Sequence, residues 1–333
     1  MEKMEHGLHL PQELVDQIID LLQNDPSSLK SCALVHHSWL SRSRQRLFAK
    51  ISLKAASAHN GAGQPQLRSK QLLDILTITK ELIPCIRELE ICEGSPLHHQ
   101  PIQRHPDVPS STTWVMMDRN LIMLFERLTH VERFDFSSTS PIFWTLVPGH
   151  FLKAMYKLLS RPTLNYVRLH SWIFPNFAAL SSMLSHCHNL RAFALSSTSI
   201  SNDHTNDSGS EHAAVHDGLT AGVENVPGED KGGSGAGEPD GVPTAGSTPL
   251  EVLTLDFVNF AYLEYWLLGR SSLVDIKSLR ELRVAHFHDA EIIKKLLLAV
   301  GGSLEHFHLK PGSWNGKFFL LHSHSFMTVL LTY

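Results

Sequence analysis

A six-residue phrase, apolar-x-x-apolar-x-apolar, recurs seven times: Ile86 to Ile91, Val131 to Phe136, Leu164 to Leu169, Leu190 to Leu195, Leu250 to Leu255, Leu279 to Val284 and Leu304 to Leu309. The last two apolar positions of each copy are two apart, so they share one face of a strand. Most copies follow a stretch with helical apolar spacing, such as Leu121, Ile122, Leu124, Phe125 and Leu128 before Val131. A single strand with its helix cannot bury its apolar face, whereas a stack of such units buries a continuous core. The chain is therefore expected to be α/β, with one strand per copy.

The repeat centres are Leu89, Phe134, Val167, Phe193, Leu253, Leu282 and Phe307. The steps from Val167 to Phe193, Leu253 to Leu282 and Leu282 to Phe307 are 26, 29 and 25 residues. This resembles the period of leucine-rich repeats. The asparagine expected three residues after the last apolar position is missing, and Gly94, Thr139, Trp172, Thr198, Val258, Phe287 and Gly312 stand there. The expectation is an irregular leucine-rich-repeat-like solenoid over 72–198 and 250–314, without an asparagine ladder. The 60-residue step from Phe193 to Leu253 contains the excess segment 199–249.

Residues 8–53 read as three short helices. Leu10-Pro11 opens the first, with Glu13 in its first turn, where the helix dipole favours a carboxylate. Leu14, Val15, Ile18, Leu21 and Leu22 follow as one apolar stripe. Asp25-Pro26 is an N-cap followed by a first-position proline. Leu29, Cys32, Ala33, Leu34 and Val35 form a second apolar face. The third helix, from His37-Ser38-Trp39, carries Leu40, Leu47 and Phe48, with Arg42, Arg44 and Arg46 expected on its wet side. Ile51 and Leu53 alternate like a strand joining the array.

The run LPQELVDQIIDLL…SLKSCALVHHSWLSRSRQRLF resembles an F-box. The marks are Leu10-Pro11, Glu13-Leu14, Ile18, Leu21-Leu22, Leu29, Cys32, Leu34-Val35, Ser38-Trp39 and Leu47-Phe48. With the repeats, the whole is similar to fungal F-box proteins with degenerate leucine-rich repeats. The resemblance implies the substrate-recognition subunit of an SCF-type cullin–RING ubiquitin ligase. Leu10, Pro11, Leu14, Ile18, Leu34, Val35 and Trp39 would dock the Skp adaptor, and through it a cullin, while the array holds a protein substrate. A docking patch requires some of these apolar side chains to be exposed. A generic three-helix cap on a ligase-independent binding scaffold would need none.

Residues 199–249 carry nine acidic residues and one lysine, a net of −8, so the rest of the chain holds +4 of the formal total of −4. The segment has too few large apolar residues to offset ordering entropy and is expected to be a disordered acidic insertion. A total charge of −4 does not suggest nucleic acid. Residues 54–71 read as a connecting loop, and 94–113, with its prolines, as a surface loop. Four cysteines without a C-x-x-C pair suggest reduced, mostly buried thiols in a cytoplasmic or nuclear protein. No apolar run reaches the ~18 residues that span a bilayer, and the charged start leads into no apolar signal core. The apolar tail 315–333 is atypical where a repeat or polar cap is expected, and reads as an end from which further repeats are missing.

The histidine pairs His186/His188, His286/His288, His306/His308 and His322/His324 lack a regularly spaced Cys or carboxylate, so no metal or other cofactor is expected. No phosphate-binding glycine loop and no nucleophile elbow occurs, and no catalytic residue is assigned. The residues flanking each repeat centre point away from the core, toward the concave face where solenoids bind. Glu90, Asp135, Tyr166, Arg168, Arg283, His306 and His308 are the expected substrate contacts.

Overall fold

A computed structural model describes residues 10–54, 66–94, 114–200, 248–258, 267, 274–287, 290–311 and 327–330. Three helices come first: α1 (Gln12–Leu21), α2 (Pro26–Val35) and α3 (His37–Leu47). The Asp25 carboxylate accepts from the Ser27 and Ser28 amides and caps α2, with Pro26 in its first turn. Val15, Ile19 and Leu29 form a small buried cluster, against which Leu22, Trp39 and Leu47 pack.

The strands are β1 (Lys50–Lys54), β2 (Glu88–Glu93), β3 (Arg133–Phe143), β4 (Tyr166–Phe174), β5 (Ala192–Ser196), β6 (Ser199–Ile200), β7 (Thr248–Pro249), β8 (Val252–Asp256), β9 (Val274–Asp275), β10 (Glu281–Phe287), β11 (His306–Pro311) and β12 (Met327–Leu330). One open sheet runs β1-β2-β3-β4-β5-β8-β10-β11-β12, with β6 beside β4. Its pairings are parallel from β1 to β11, and β12 closes the row antiparallel to β11. β7 and β9 pair separately. Every copy of the repeated phrase supplies one strand of the main sheet. β5 and β8, on either side of 201–247, pair directly from Ala192↔Val252 to Ser196↔Asp256.

The register is set by the phrase. Leu89, Phe134, Val167, Phe193, Leu253, Leu282 and Phe307 lie side by side, with Ile51 of β1 joining the row. At each step one carbonyl accepts two successive amides of the next unit. Ala49 O accepts from Arg87 and Glu88, Arg87 O from Glu132 and Arg133, and Glu132 O from Asn165 and Tyr166. The same bonds recur at Asn165, Arg191, Glu251 and Arg280. The backbone thus repeats one geometry at each of these joints, although the side chains there differ.

The inward face packs against α4 (Gln66–Ile78), α5 (Trp114–Met117), α6 (Arg119–Arg127), α7 (Gly149–Leu159), α8 (Phe177–Leu184) and the helix Ala290–Val300 in one continuous apolar cluster. At its centre Phe125, Phe134, Phe136, Phe151 and Trp172 meet edge to face, with Phe136 and Trp172 centroids 5.0 Å apart. Such contacts each contribute about 0.5–1.5 kcal/mol beyond burial. α4 begins at Gln66, so the expected loop 54–71 is shorter at both ends, with Lys54 in β1.

At four of the seven copies the residue before the missing asparagine is left-handed. Ser171, Ser197, Phe257 and His286 have φ of 62°, 49°, 50° and 51°. Each stands five residues after the first register position of its strand. This left-handed step reverses the strand alternation. Trp172, Thr198 and Val258, which would otherwise face outward, are buried as a result. Phe287, the fourth such residue, packs partly buried against the core.

The expected disorder of 199–249 does not hold at its ends, where Ser199–Ile200 and Thr248–Pro249 are strands, and its remainder lies outside the described residues, as do the surface loop 94–113 beyond Gly94 and the tail apart from Met327–Leu330. Among the described residues no helix is long and apolar enough to cross a membrane.

Candidate functional site

Two surfaces collect the residues singled out in the sequence. The first is on the helical block. Leu10, Leu14, Ile18 and Leu21 recur at helical spacing, and all four are exposed, Leu21 by 84%. Val15 and Ile19, on the adjacent flank of α1, are buried. The single inward stripe expected for α1 is thus divided between two faces. Helices this short enclose one internal layer, and Val15, Ile19 and Leu29 fill it. Leu34 and Val35, at the end of α2, are 87% and 68% exposed, and Pro11 is exposed at the start of α1. Trp39 differs from its companions: it is half-buried on the block's own cluster, where its first role is packing. Leu21, a mark of the F-box resemblance but not among the expected adaptor contacts, belongs to the exposed row.

Asp20 holds the block together on its polar side. Its carboxylate accepts from Arg42 Nε at 2.7 Å and Arg46 Nε at 2.8 Å. The hydrogen bonds from Arg46 and Arg42 hold it well below the usual carboxylate range. This corrects the wet side expected for α3. Arg42 and Arg46 are one turn apart and turn toward α1, while Arg44, between them, is exposed.

The second surface is the sheet face opposite the helices. Glu90, Asp135 and Arg168 lie in one register row across β2, β3 and β4. The row continues through Ala194 and Thr254 to Arg283 and His308. Tyr166 and His306 lie in the adjoining row, with Glu88, Arg133, Ala192, Val252 and Glu281. All seven expected contacts therefore share one surface, in two clusters separated by the small residues of β5 and β8.

These charges are largely neutralised within the face. Lys50 and Lys54 approach Glu90 at 3.4 and 3.8 Å. Arg168 reaches Asp135 at 3.5 Å, and Arg283 and His308 reach Glu281 at 2.6 and 3.3 Å. The Arg133 guanidinium lies 3.9 Å from the Tyr166 ring centroid. Burial pushes the Asp135 carboxyl up, against the opposing pull of Arg168, and Glu90 adds to the rise. At Glu90 burial acts in the same direction but is outweighed by the Cys92 thiol and the two lysines, so its carboxyl falls. Burial, with Arg168, lowers His170. Sequence reasoning missed Lys50, Lys54 and His170, which the two-residue strand alternation marks as outward-facing.

Several histidines have local partners. His186 stacks on Tyr156 with centroids 4.2 Å apart. His286 stacks on Phe257 and bonds Asp256 at 2.7 Å. Among the described residues no three His, Cys, Asp or Glu side chains form a metal-holding group. The four cysteines are free; Cys187 is buried and the other three are half-buried, less enclosed than expected. Burial pushes the Cys187 thiol up to about 12.

No protein-family model matches the chain, and no curated protein matches it.

Proposed function

We propose that the chain is the substrate-recognition subunit of an SCF-type cullin–RING ubiquitin ligase. The three-helix block is an F-box that docks the Skp adaptor, and the strands and helices after it form an irregular leucine-rich-repeat-like solenoid. One observation carries this reading: a block with its own buried cluster leaves Leu10, Leu14, Ile18, Leu21, Leu34 and Val35 outside it. A cap serving only to shield the end of an array has no use for such a row, whereas docking does. The open sheet face then presents Glu90, Asp135, Tyr166, Arg168, Arg283, His306 and His308 to a protein substrate. The chain performs no bond chemistry; it contributes proximity between substrate and a recruited conjugating enzyme.

The test is capture of purified Skp adaptor by the full chain, beside Leu14→Glu/Ile18→Glu. The native chain is expected to retain the adaptor. The variant, folded by circular dichroism, should lose at least about a hundredfold in affinity, as expected when charge enters the centre of an apolar interface. No capture by the native chain would favour a ligase-independent binding scaffold.

A further inference from the structure

A cleft of about 540 Å³ lies between α3 and the 3-10 helix Lys80–Cys85, where the helical block meets the first repeat. Its size falls within the range of small-molecule sites, about 300–1,000 Å³. Four arginines, Arg42, Arg44, Arg46 and Arg87, are among its lining residues, against one acidic residue, Glu81. No lysine is among the lining residues, so the positive charge comes from planar groups that bind phosphate through paired hydrogen bonds. Leu82 and Pro84 supply an apolar wall.

Internal pairing leaves charge over. Asp20 serves both Arg42 and Arg46, one carboxylate for two guanidinium groups. Arg87 meets Glu132 at 2.8 Å, with both side chains more than two-fifths exposed. An ion pair this wet holds its arginine only weakly. Arg44 is exposed and has no ion pair among the described residues. The position of Arg44 and Arg46 in the last turn of α3 accounts for two cations through the helix dipole. It does not account for Arg87, which enters the same cleft from a different element.

We propose that this cleft binds a small molecule bearing two or more phosphate groups. Two linked phosphates would engage the α3 arginines and Arg87 together, bridging the helical block to the first repeat. The proposal is independent of the ligase reading and holds whether or not the block captures an adaptor.

The test is calorimetric titration of the full chain with pyrophosphate at fixed ionic strength, beside inorganic phosphate and phosphoserine. Pyrophosphate is expected to bind more tightly than either. Arg44→Ala should weaken it about tenfold, the scale of one charge-assisted contact. Arg280→Ala, at an exposed arginine outside the cleft, should leave it unchanged. Equal losses in both variants would reduce the effect to general electrostatics and overturn the site. So would an absence of pyrophosphate binding, or tighter binding of phosphoserine, which would point to a phosphorylated side chain instead.

Discussion

The helical block and the sheet use the same apolar residue types in opposite ways. The sheet and its helices bury nearly every large apolar side chain of their strands in one continuous cluster. The block encloses only Val15, Ile19 and Leu29 and leaves a longer row outside. The difference is one of layers. A stack of strands gives each inward residue a neighbour on both sides, whereas three helices of ten or eleven residues have one shared interior. Apolar surface beyond that interior stays exposed. If the adaptor docks as proposed, it should stabilise the block more than the sheet.

The largest expected effect falls in the sheet. Phe134→Ala removes a fully buried ring between Phe125 and Phe136 and should cost about 3–5 kcal/mol in chemical denaturation. A cost below about 1 kcal/mol would mean that this cluster is not the tightly packed region described. Next is Ile19→Ala, expected to cost about 2–5 kcal/mol, but felt in the block. Amide exchange should then speed in α1 to α3 while β3 and β4 stay protected. Uniform acceleration would show that block and sheet unfold as one unit. If the adaptor docks as proposed, its addition should slow exchange in α1 specifically.

The smallest effect belongs to Asp20→Ala, at about 1 kcal/mol for a partly exposed ion-pair network. The sign follows from the depressed carboxyl. Asp20 titrates lower when folded than when unfolded, so its stabilisation is present above about pH 4 and fades as the pH falls. Melting curves of wild type and variant should therefore differ at pH 7 and converge toward pH 2. An unchanged gap at low pH would assign the loss to packing instead.

The strand positions were legible because the repeated phrase fixes both face and register. Leu89, Phe134 and Val167 could be aligned by the phrase alone, despite their unequal separation in the chain, and they pair in that alignment. The outward row from Glu90 to His308 followed from the same alternation. The two-sided division of α1 was not legible, since Leu14 and Val15 are adjacent and equally apolar. Which one faces inward depends on where α2 and α3 pack. The arginines of α3 were misplaced for a related reason: helical periodicity identifies a shared face for Arg42 and Arg46, but not the Asp20 carboxylate opposite. Trp172 was hidden by the left-handed residue before it, because strict alternation breaks there without a glycine to mark it.

That left-handed step bears on how such a chain can diverge. An asparagine ladder ties each turn to one side chain, and losing the asparagine loses the turn. Here the corner is a left-handed backbone step taken at four strands by two serines, a phenylalanine and a histidine, so no single side chain is required. Selection at those sites can act on the shape of the corner while leaving the letter free to change. Descendants of one array could then keep their architecture long after their consensus had eroded past recognition.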